Sequence, residues 1–203
     1  MTDLFTMTEG RMLPLPGADI RYLPSFDLGT PPDALLNQLI AETPWRQEPI
    51  RLFGRSYMQP RLIAWVGDAG KAYRYSGTTM QPLPWTDLLT DLRRRVEVVA
   101  GVRFNSVLLN YYRDQQDSMG LHSDDEPELG PAPVIASLSL GAARPLLFKS
   151  RIDPSAKPTR IMLESGSLLL MQGDTQRNYK HGIAKQRRAI GPRVNLTFRN
   201  ILD

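Results

Sequence analysis

Between Pro31 and Ile40 the apolar residues Leu35, Leu36, Leu39 and Ile40 recur at spacings of three and four, which predicts a helix with one buried stripe. Thr30-Pro31-Pro32-Asp33 ahead of it reads as an N-cap followed by proline in the first turn. A second stripe, Leu88, Leu92, Val96 and Val99, follows Trp85-Thr86-Asp87, and Gly101 supplies a C-terminal stop. Beyond Gly101 the pattern shortens to runs broken by turn signals. Strands are predicted over 104–112, 134–140, 146–149, 160–164, 167–172 and 193–200, with earlier ones near 51–53, 62–65 and 73–75. Helices first and many short strands after them predict a β-sandwich or jelly roll with helices packed on one sheet.

A length of 203 residues, with 41% hydrophobic and 23% charged residues, fits one globular domain with a real core. No apolar run is long enough to cross a bilayer. The first residues lack a basic region leading into an apolar stretch, so an intracellular protein is expected. The absence of cysteine excludes disulfides, thiolate nucleophiles and cysteine-ligated metal clusters together. Charge is uneven: residues 144–199 carry 12 Lys and Arg against 3 Asp and Glu, within a chain of net charge +4. That asymmetry suits a polyanion partner, and it equally suits a solvated basic face.

The chemistry-bearing residues are few. In extended chain His122 and Asp124 of His122-Ser123-Asp124 point the same way, and the only other histidine is His181. Two histidines and a carboxylate on a double-sheet fold suit the facial set that leaves open positions on non-haem Fe(II). Alone, a His-x-Asp pair is a weak signal, shared with surface and capping histidines. The last predicted strand alternates strictly: Arg193, Asn195, Thr197 and Arg199 on one face, Val194, Leu196 and Phe198 on the other. Two guanidinium groups and a hydroxyl on one face match a carboxylate ligand. Asn110 and Tyr112 form a further i,i+2 polar pair in an apolar strand.

Taken in order, Asn110-Tyr-Tyr112, His122-Ser-Asp124, His181 and Arg193-x-Asn195-x-Thr197-x-Arg199 resemble the AlkB family of Fe(II)/2-oxoglutarate-dependent nucleic-acid dealkylases, over about Arg51 to Ile201. Phe53-Gly54, Pro60-Arg61, Gly67-Asp-Ala-Gly70, Ser76-Gly77, Pro84-Trp85 and Asp124-Asp-Glu126 bring the resemblance closest to the members that repair duplex DNA. The resemblance implies an α+β, mainly β fold: a double-stranded β-helix (jelly roll) core, N-terminal helices packed on one sheet, and a DNA-probing hairpin. It implies a single domain over 1–203, with helices and nucleotide-recognition hairpins in 1–100 and the catalytic core in 101–203.

The resemblance also assigns roles. His122, Asp124 and His181 would hold iron. Arg199 would pair with the distal carboxylate of 2-oxoglutarate, helped by Tyr112 and Thr197, while Arg193 and Asn110 would lie at the keto-acid end near the metal. Asn195 completes that set. With O2 as co-substrate, the products would be succinate, carbon dioxide and an aldehyde from an N-alkyl group of a flipped base. Phe53, between arginines and ahead of Gly54, would be the wedge that fills the vacated stack, with Leu52 beside it. Tyr73 and Tyr75, followed by Ser76, would sandwich the flipped base, and Arg61 would add to this surface. Asp125 and Glu126 would accept from exocyclic amines and favour cationic bases such as 1-methyladenine and 3-methylcytosine. The basic segment 144–185 would track phosphates. The expected partner is alkylated DNA, double-stranded with single strands also accepted, bound by a monomer with no membrane association. An RNA demethylase, a dioxygenase for a non-nucleic-acid substrate, and a lesion-binding module without chemistry are the competing readings.

Overall fold

The computed structural model describes residues 10–52, 55–71, 73–75 and 78–202; for 50–52, 55, 73–75 and 78–80 it is the backbone that is described. Two antiparallel sheets face each other. The larger takes strands in the order β1 (Arg11–Met12), β2 (Asp19–Leu23), β13 (Ser167–Gln172), β10 (Ile135–Gly141), β15 (Arg193–Arg199), β8 (Ser106–Tyr112) and β5 (Leu62–Gly67). The smaller runs β12 (Thr159–Leu163), β11 (Arg144–Ser150), β14 (Tyr179–Ile183) and β9 (Met119–His122). Two separate ribbons, β3 (Pro49–Leu52) with β4 (Arg55–Met58) and β6 (Tyr73–Tyr75) with β7 (Thr78–Met80), stand at the positions of the predicted hairpins. This is the mainly β, double-stranded β-helix arrangement that the sequence predicts. Strands from both sides of residue 100 share the larger sheet.

Helices α1 (Pro32–Glu42) and α2 (Asp87–Ala100) cover one face of the larger sheet. Leu35, Leu36 and Leu39 of α1 and Leu89, Leu92 and Val96 of α2 are buried in one cluster with Leu138, Leu170, Val194, Leu196 and Phe198 of the sheet. Burying such side chains contributes roughly 1.5–3 kcal/mol each. Thr86 caps α2 by accepting from the Leu89 N–H, and Gly101 ends it in the left-handed region (φ 70°) where a side chain is disfavoured. The buried stripe of α2 runs through Leu89 and Ala100, with Leu88 and Val99 half-buried, so it is rotated slightly from the predicted line. At α1 the cap position belongs to Pro31, and Thr30 makes no capping bond.

The opposite face of the larger sheet meets the smaller one. Ile135, Leu169, Met171 and Tyr112 pack with Leu146, Phe148, Ile161 and Ile183. Between these layers, towards the β9 end, lies the pocket described next. The β1–β2 segment, far away in sequence, pairs with β13 and hydrogen-bonds the short helix α3 (Thr175–Asn178) and the start of β14: Asp19 N–H donates to Thr175 Oγ1 at 2.9 Å, Asn178 Nδ2 to Gly17 O at 2.7 Å, and Tyr179 Oη to Pro16 O at 2.8 Å.

Candidate active site

The strand pairing of β9 with β14 sets His122 directly opposite His181, with ring centroids 4.4 Å apart. Asp124, two residues past the end of β9, turns back to them. Ligand atoms of His122, Asp124 and His181 all lie within 4.8 Å of one another. His122 Nδ1 sits 2.9 Å from the Gly120 carbonyl, which can only accept, so this nitrogen carries the proton and Nε2 is left as the donor atom. His181 is buried. Burial, with His122 beside it, pushes its pKa down to about 3, which keeps the imidazole neutral and able to ligate.

Asp124 is held from three sides. Burial alone would raise its pKa, but the Arg199 guanidinium, with the two histidines, brings it to about 2. Arg199 Nη2 donates to Oδ1 at 2.7 Å, and the Asp124 backbone N–H donates to Gln176 Oε1 at 3.0 Å. The other carboxylate oxygen, Oδ2, is buried, has no hydrogen-bond partner among the described residues, and lies 3.8 Å from His181 Nε2. A buried, ionised oxygen without a donor is costly in a folded protein unless a cation completes it. Two imidazoles and this carboxylate fit a divalent iron.

The rest of the pocket is built by register. On β15 the polar face looks towards the smaller sheet while Val194, Leu196 and Phe198 point into the helix-side core. Antiparallel pairing sets Arg193 against Tyr112 and Asn195 against Asn110. From the other side β10 brings Ser139 and Ser137: Arg193 Nη2 donates to Ser139 Oγ at 3.0 Å, and Asn195 Nδ2 to Ser137 Oγ at 2.9 Å. Thr197 donates to Asn195 Oδ1 at 3.1 Å. The Arg193 guanidinium lies 5.1 Å from the Tyr112 ring centroid, and Arg144 lies 5.7 Å from it. Burial pushes the Arg193 pKa below its ordinary value, yet a guanidinium keeps its charge. Among the described residues no carboxylate pairs with Arg193, and its Nε and Nη1 are buried without an acceptor. This end of the pocket asks for an anion.

Two placements bear on the expectations. Arg199, expected at the distal carboxylate, donates to Asp124 at the metal end, and Arg193, expected at the keto-acid end, lies opposite Tyr112. The reason is strand direction: antiparallel β8 and β15 bring Tyr112 at the end of one against Arg193 at the start of the other, six residues from Arg199. Arg61, expected at the nucleic-acid surface, is buried and donates from Nε to Asn110 Oδ1 at 2.7 Å, so it fixes a pocket amide from behind.

Of the remaining substrate candidates, Asp125 is exposed and ion-paired with Arg151 at 2.9 Å. Glu126 is half-buried, and its Oε2 has no hydrogen-bond partner among the described residues. Phe53, Gly54 and Ser76 lie outside the described residues. Leu52, Tyr73 and Tyr75 are described by backbone alone: Leu52 pairs with Arg55, and Tyr75 with Thr78. The site also uses Gln176, Ser137 and Ser139, which no motif marks; Arg144, in the basic segment expected to track phosphates, is buried and donates to the backbone carbonyls of Asp114, Asp117 and Ala184. The two serines could have been found by noting that β10 alternates Ser137 and Ser139 among leucines.

A two-sheet fold, a His-Asp-His cluster and a buried arginine without a counter-charge among the described residues define a class. The chain belongs to the 2OG-Fe(II) oxygenase superfamily, whose family model matches residues 20–199. That family implies Fe(II) and 2-oxoglutarate. The chain is 42% identical over 177 residues to Alpha-ketoglutarate-dependent dioxygenase alkB homolog 3 of Homo sapiens, covering 83% of this chain and 61% of the relative. It is 41% identical over 159 residues to DNA oxidative demethylase ALKBH2 of Homo sapiens, covering 75% of this chain and 61% of that protein. With DNA oxidative demethylase ALKBH2 of Arabidopsis thaliana it shares 36% identity over 211 residues, covering 92% and 67%. The chain thus spans about three fifths of the length of the human relatives. The solved structure of OsALKBH1 superposes with a TM-score of 0.65 at 16% identity, covering 94% of this chain and all of that one, and supports the fold.

Proposed function

We propose that the protein oxidatively removes N-alkyl groups from nucleic-acid bases, using Fe(II), 2-oxoglutarate and O2. The observation that carries this is the pair of buried arginines bracketing one pocket: Arg199 is neutralised by Asp124, and no carboxylate among the described residues pairs with Arg193. His122, Asp124 and His181 would hold the iron, which when bound supplies the oxidising chemistry that couples 2-oxoglutarate decarboxylation to hydroxylation of the alkyl carbon. Arg193, with Tyr112 beneath it, would take the distal carboxylate; Asn110, fixed by Arg61, and Arg199 would face the keto-acid end. Asn195 and Thr197 line the pocket between them. The apolar wall of Leu146, Met171 and Ile183 keeps this end dry, which strengthens each charged contact.

Two of these relatives bear the name DNA oxidative demethylase, which supports nucleic acid as the substrate class. An alkylated base in a duplex must leave the stack to reach a buried metal. Tyr73 and Tyr75 would stack on it, Phe53 with Leu52 would fill the gap, and Asp125 and Glu126 would favour cationic lesions. We place the whole activity in one domain over 1–203, working inside the cell as a monomer. No helix among the described residues is long and apolar enough to cross a membrane.

The test is aldehyde and succinate release with Fe(II) and 2-oxoglutarate from oligonucleotides carrying 1-methyladenine, 3-methylcytosine or etheno-adenine (formaldehyde from the methyl lesions, a two-carbon dialdehyde from the etheno bridge), as DNA and RNA, single- and double-stranded. Lesion-dependent release of both products is expected. Succinate formation indifferent to every oligonucleotide would overturn the reading and leave a dioxygenase for another substrate. Phe53→Ala should lower turnover on duplexes far more than on single strands, because only a duplex has a gap to fill. An unchanged ratio of the two rates would remove the wedge role.

A further inference from the structure

Two motifs that the metal pocket does not use, Gly67-Asp-Ala-Gly70 and Pro84-Trp85, flank the β6–β7 ribbon in the chain and meet at its base. The ribbon is a two-stranded sheet with three residues in each strand, and it pairs with no other strand among the described residues. A lone two-stranded hairpin is at best marginally stable in water. Its direction is therefore set by where its two stems are fixed. A three-residue strand is about 10 Å long, so a tilt of about 10° at the base carries its far end about 2 Å, a shift that opens a stacking contact made at about 3.5–4 Å.

The stems are joined first by backbone. Leu83 N–H donates to Trp65 O at 2.8 Å, and Gly67 N–H donates to Leu83 O at 3.1 Å. On the entry side Asp68 N–H donates to Asn105 O at 2.9 Å. Lys71 N–H closes a turn onto Asp68 O at 3.3 Å, with Gly70 in the left-handed region (φ 82°). Side chains then tie both stems to α2. Asp68 Oδ1 accepts from Trp85 Nε1 at 2.8 Å and from Arg93 Nη1 at 3.1 Å, and the Arg93 guanidinium lies 4.3 Å from the Trp85 ring centroid. Trp85 packs against the helix-side core just ahead of the Thr86 cap, and Arg93 is part of α2 itself. An exposed ion pair alone contributes little. Here one oxygen holds an indole N–H and a guanidinium that already stack on each other, so losing Asp68 releases the entry stem from both.

We infer that Asp68, Trp85 and Arg93 form a clamp that sets the pose of the β6–β7 ribbon, and that they are positioning residues for the base on which Tyr73 and Tyr75 would stack. None of the three lines the metal and co-substrate pocket. The inference rests on the nucleic-acid reading above. Stacking contacts are made alike before and during the reaction, so loosening the ribbon weakens lesion binding and leaves the chemical step as it was.

The test uses the full chain with Fe(II), 2-oxoglutarate and a single-stranded oligonucleotide carrying 1-methyladenine, which leaves out any effect of a duplex. Asp68→Ala raises KM for the oligonucleotide about tenfold, the order expected for the two lost hydrogen bonds, with kcat within about twofold of wild type. Decarboxylation of 2-oxoglutarate without oligonucleotide stays at the wild-type rate, and the thermal midpoint falls by no more than about 4 °C. Asp68→Asn, whose amide oxygen accepts both bonds, brings KM back to within about threefold of wild type. In the metal-free protein, hydrogen exchange at the backbone amides of β6 and β7 is faster in Asp68→Ala, while exchange in α1 is unchanged. An unchanged KM in Asp68→Ala overturns the inference and leaves the dealkylation reading standing, as does an asparagine variant no better than the alanine one. An oligonucleotide-free rate that falls in parallel with turnover makes Asp68 a general structural residue and also overturns it. If the wild type turns over no lesion oligonucleotide, the dealkylation reading falls by itself. Exchange then decides the clamp alone: faster at β6 and β7 keeps it, and unchanged removes it.

Discussion

The two sheets contribute to one pocket in different ways. In the larger sheet β15 is buried at all seven positions and paired along its length with β8 on one side and β10 on the other. Arg193 to Arg199 are therefore placed by two ladders and two packed faces. In the smaller sheet β9 is an edge strand of four residues with none buried, and its pairing with β14 shifts register between His181 and Ile183. Asp124 is beyond the strand altogether. The anion end of the pocket is fixed by backbone, and the metal end is fixed by side chains reaching into it, chiefly Arg199 and Gln176. The difference teaches where tolerance lies: the larger sheet resists change through the whole fold, while the metal end can be loosened one hydrogen bond at a time.

The strongest test of that contrast cuts the link between the sheets. Arg199→Ala leaves Asp124 buried and uncompensated, and breaking such a pair costs about 3–5 kcal/mol. Urea denaturation of the metal-free protein should show this loss, and the double variant Asp124→Ala/Arg199→Ala should recover part of it. A loss under about 1 kcal/mol, typical of an exposed pair, would mean that the sheets are not tied here.

On the smaller sheet, His181→Ala should leave the fold largely intact and lower affinity for Co(II), as a spectroscopic substitute for iron, by more than the roughly 10–100-fold that supporting contacts cost. Retained affinity would remove His181 from the ligand set. Next in size is Gln176→Ala. Its amide touches Asp124 only through the backbone N–H, so metal affinity should fall by about tenfold. Turnover should recover at saturating metal, and an equal loss at all metal concentrations would mean that Gln176 acts elsewhere.

The smallest effect is on pH dependence without metal. His181 titrates near 6.5 when unfolded and about 3 when folded, so the unfolded chain binds the extra proton between these values. Its contribution is full above pH 6.5 and is lost as pH falls towards 3. Asp124, about 2 in the fold, adds stability that is present above about 3.9 and is lost only as pH falls from there towards 2. Between pH 7 and 5 the unfolding free energy should therefore fall by up to about 1.4 kcal/mol per pH unit, and His181→Leu should flatten that slope. A slope unchanged by His181→Leu would place the titration elsewhere.

The sequence made the polar face of β15 legible because alternation of period two survives in a list of residues. The same alternation could not say which arginine met the metal, since that depends on which end of β8 lies alongside. Arg61 looked like a surface cation after a proline; only the fold brings it to Asn110, forty-nine residues away, where an amide oxygen satisfies it. Gln176 sits in a four-residue helix too short to carry any periodic signal. The strands β1 and β2 gave no clear alternation, and their place beside β13 is fixed by pairing rather than by pattern. The metal candidates were legible for the opposite reason: with two histidines in the chain, there were few sets to consider.

The central position of β15 has a consequence for synthesis on the ribosome. It is the last strand in chain order among the described elements, yet it lies between β10 and β8. While the chain is being made, those two strands have no neighbour to join them, and their edges stay open until residues 193–199 have left the exit tunnel. Both arginines of the pocket arrive on that same segment. The nascent protein is therefore at greatest risk of mispairing just before it becomes able to bind a co-substrate, and a single strand closes the sheet and completes the anion end in one event.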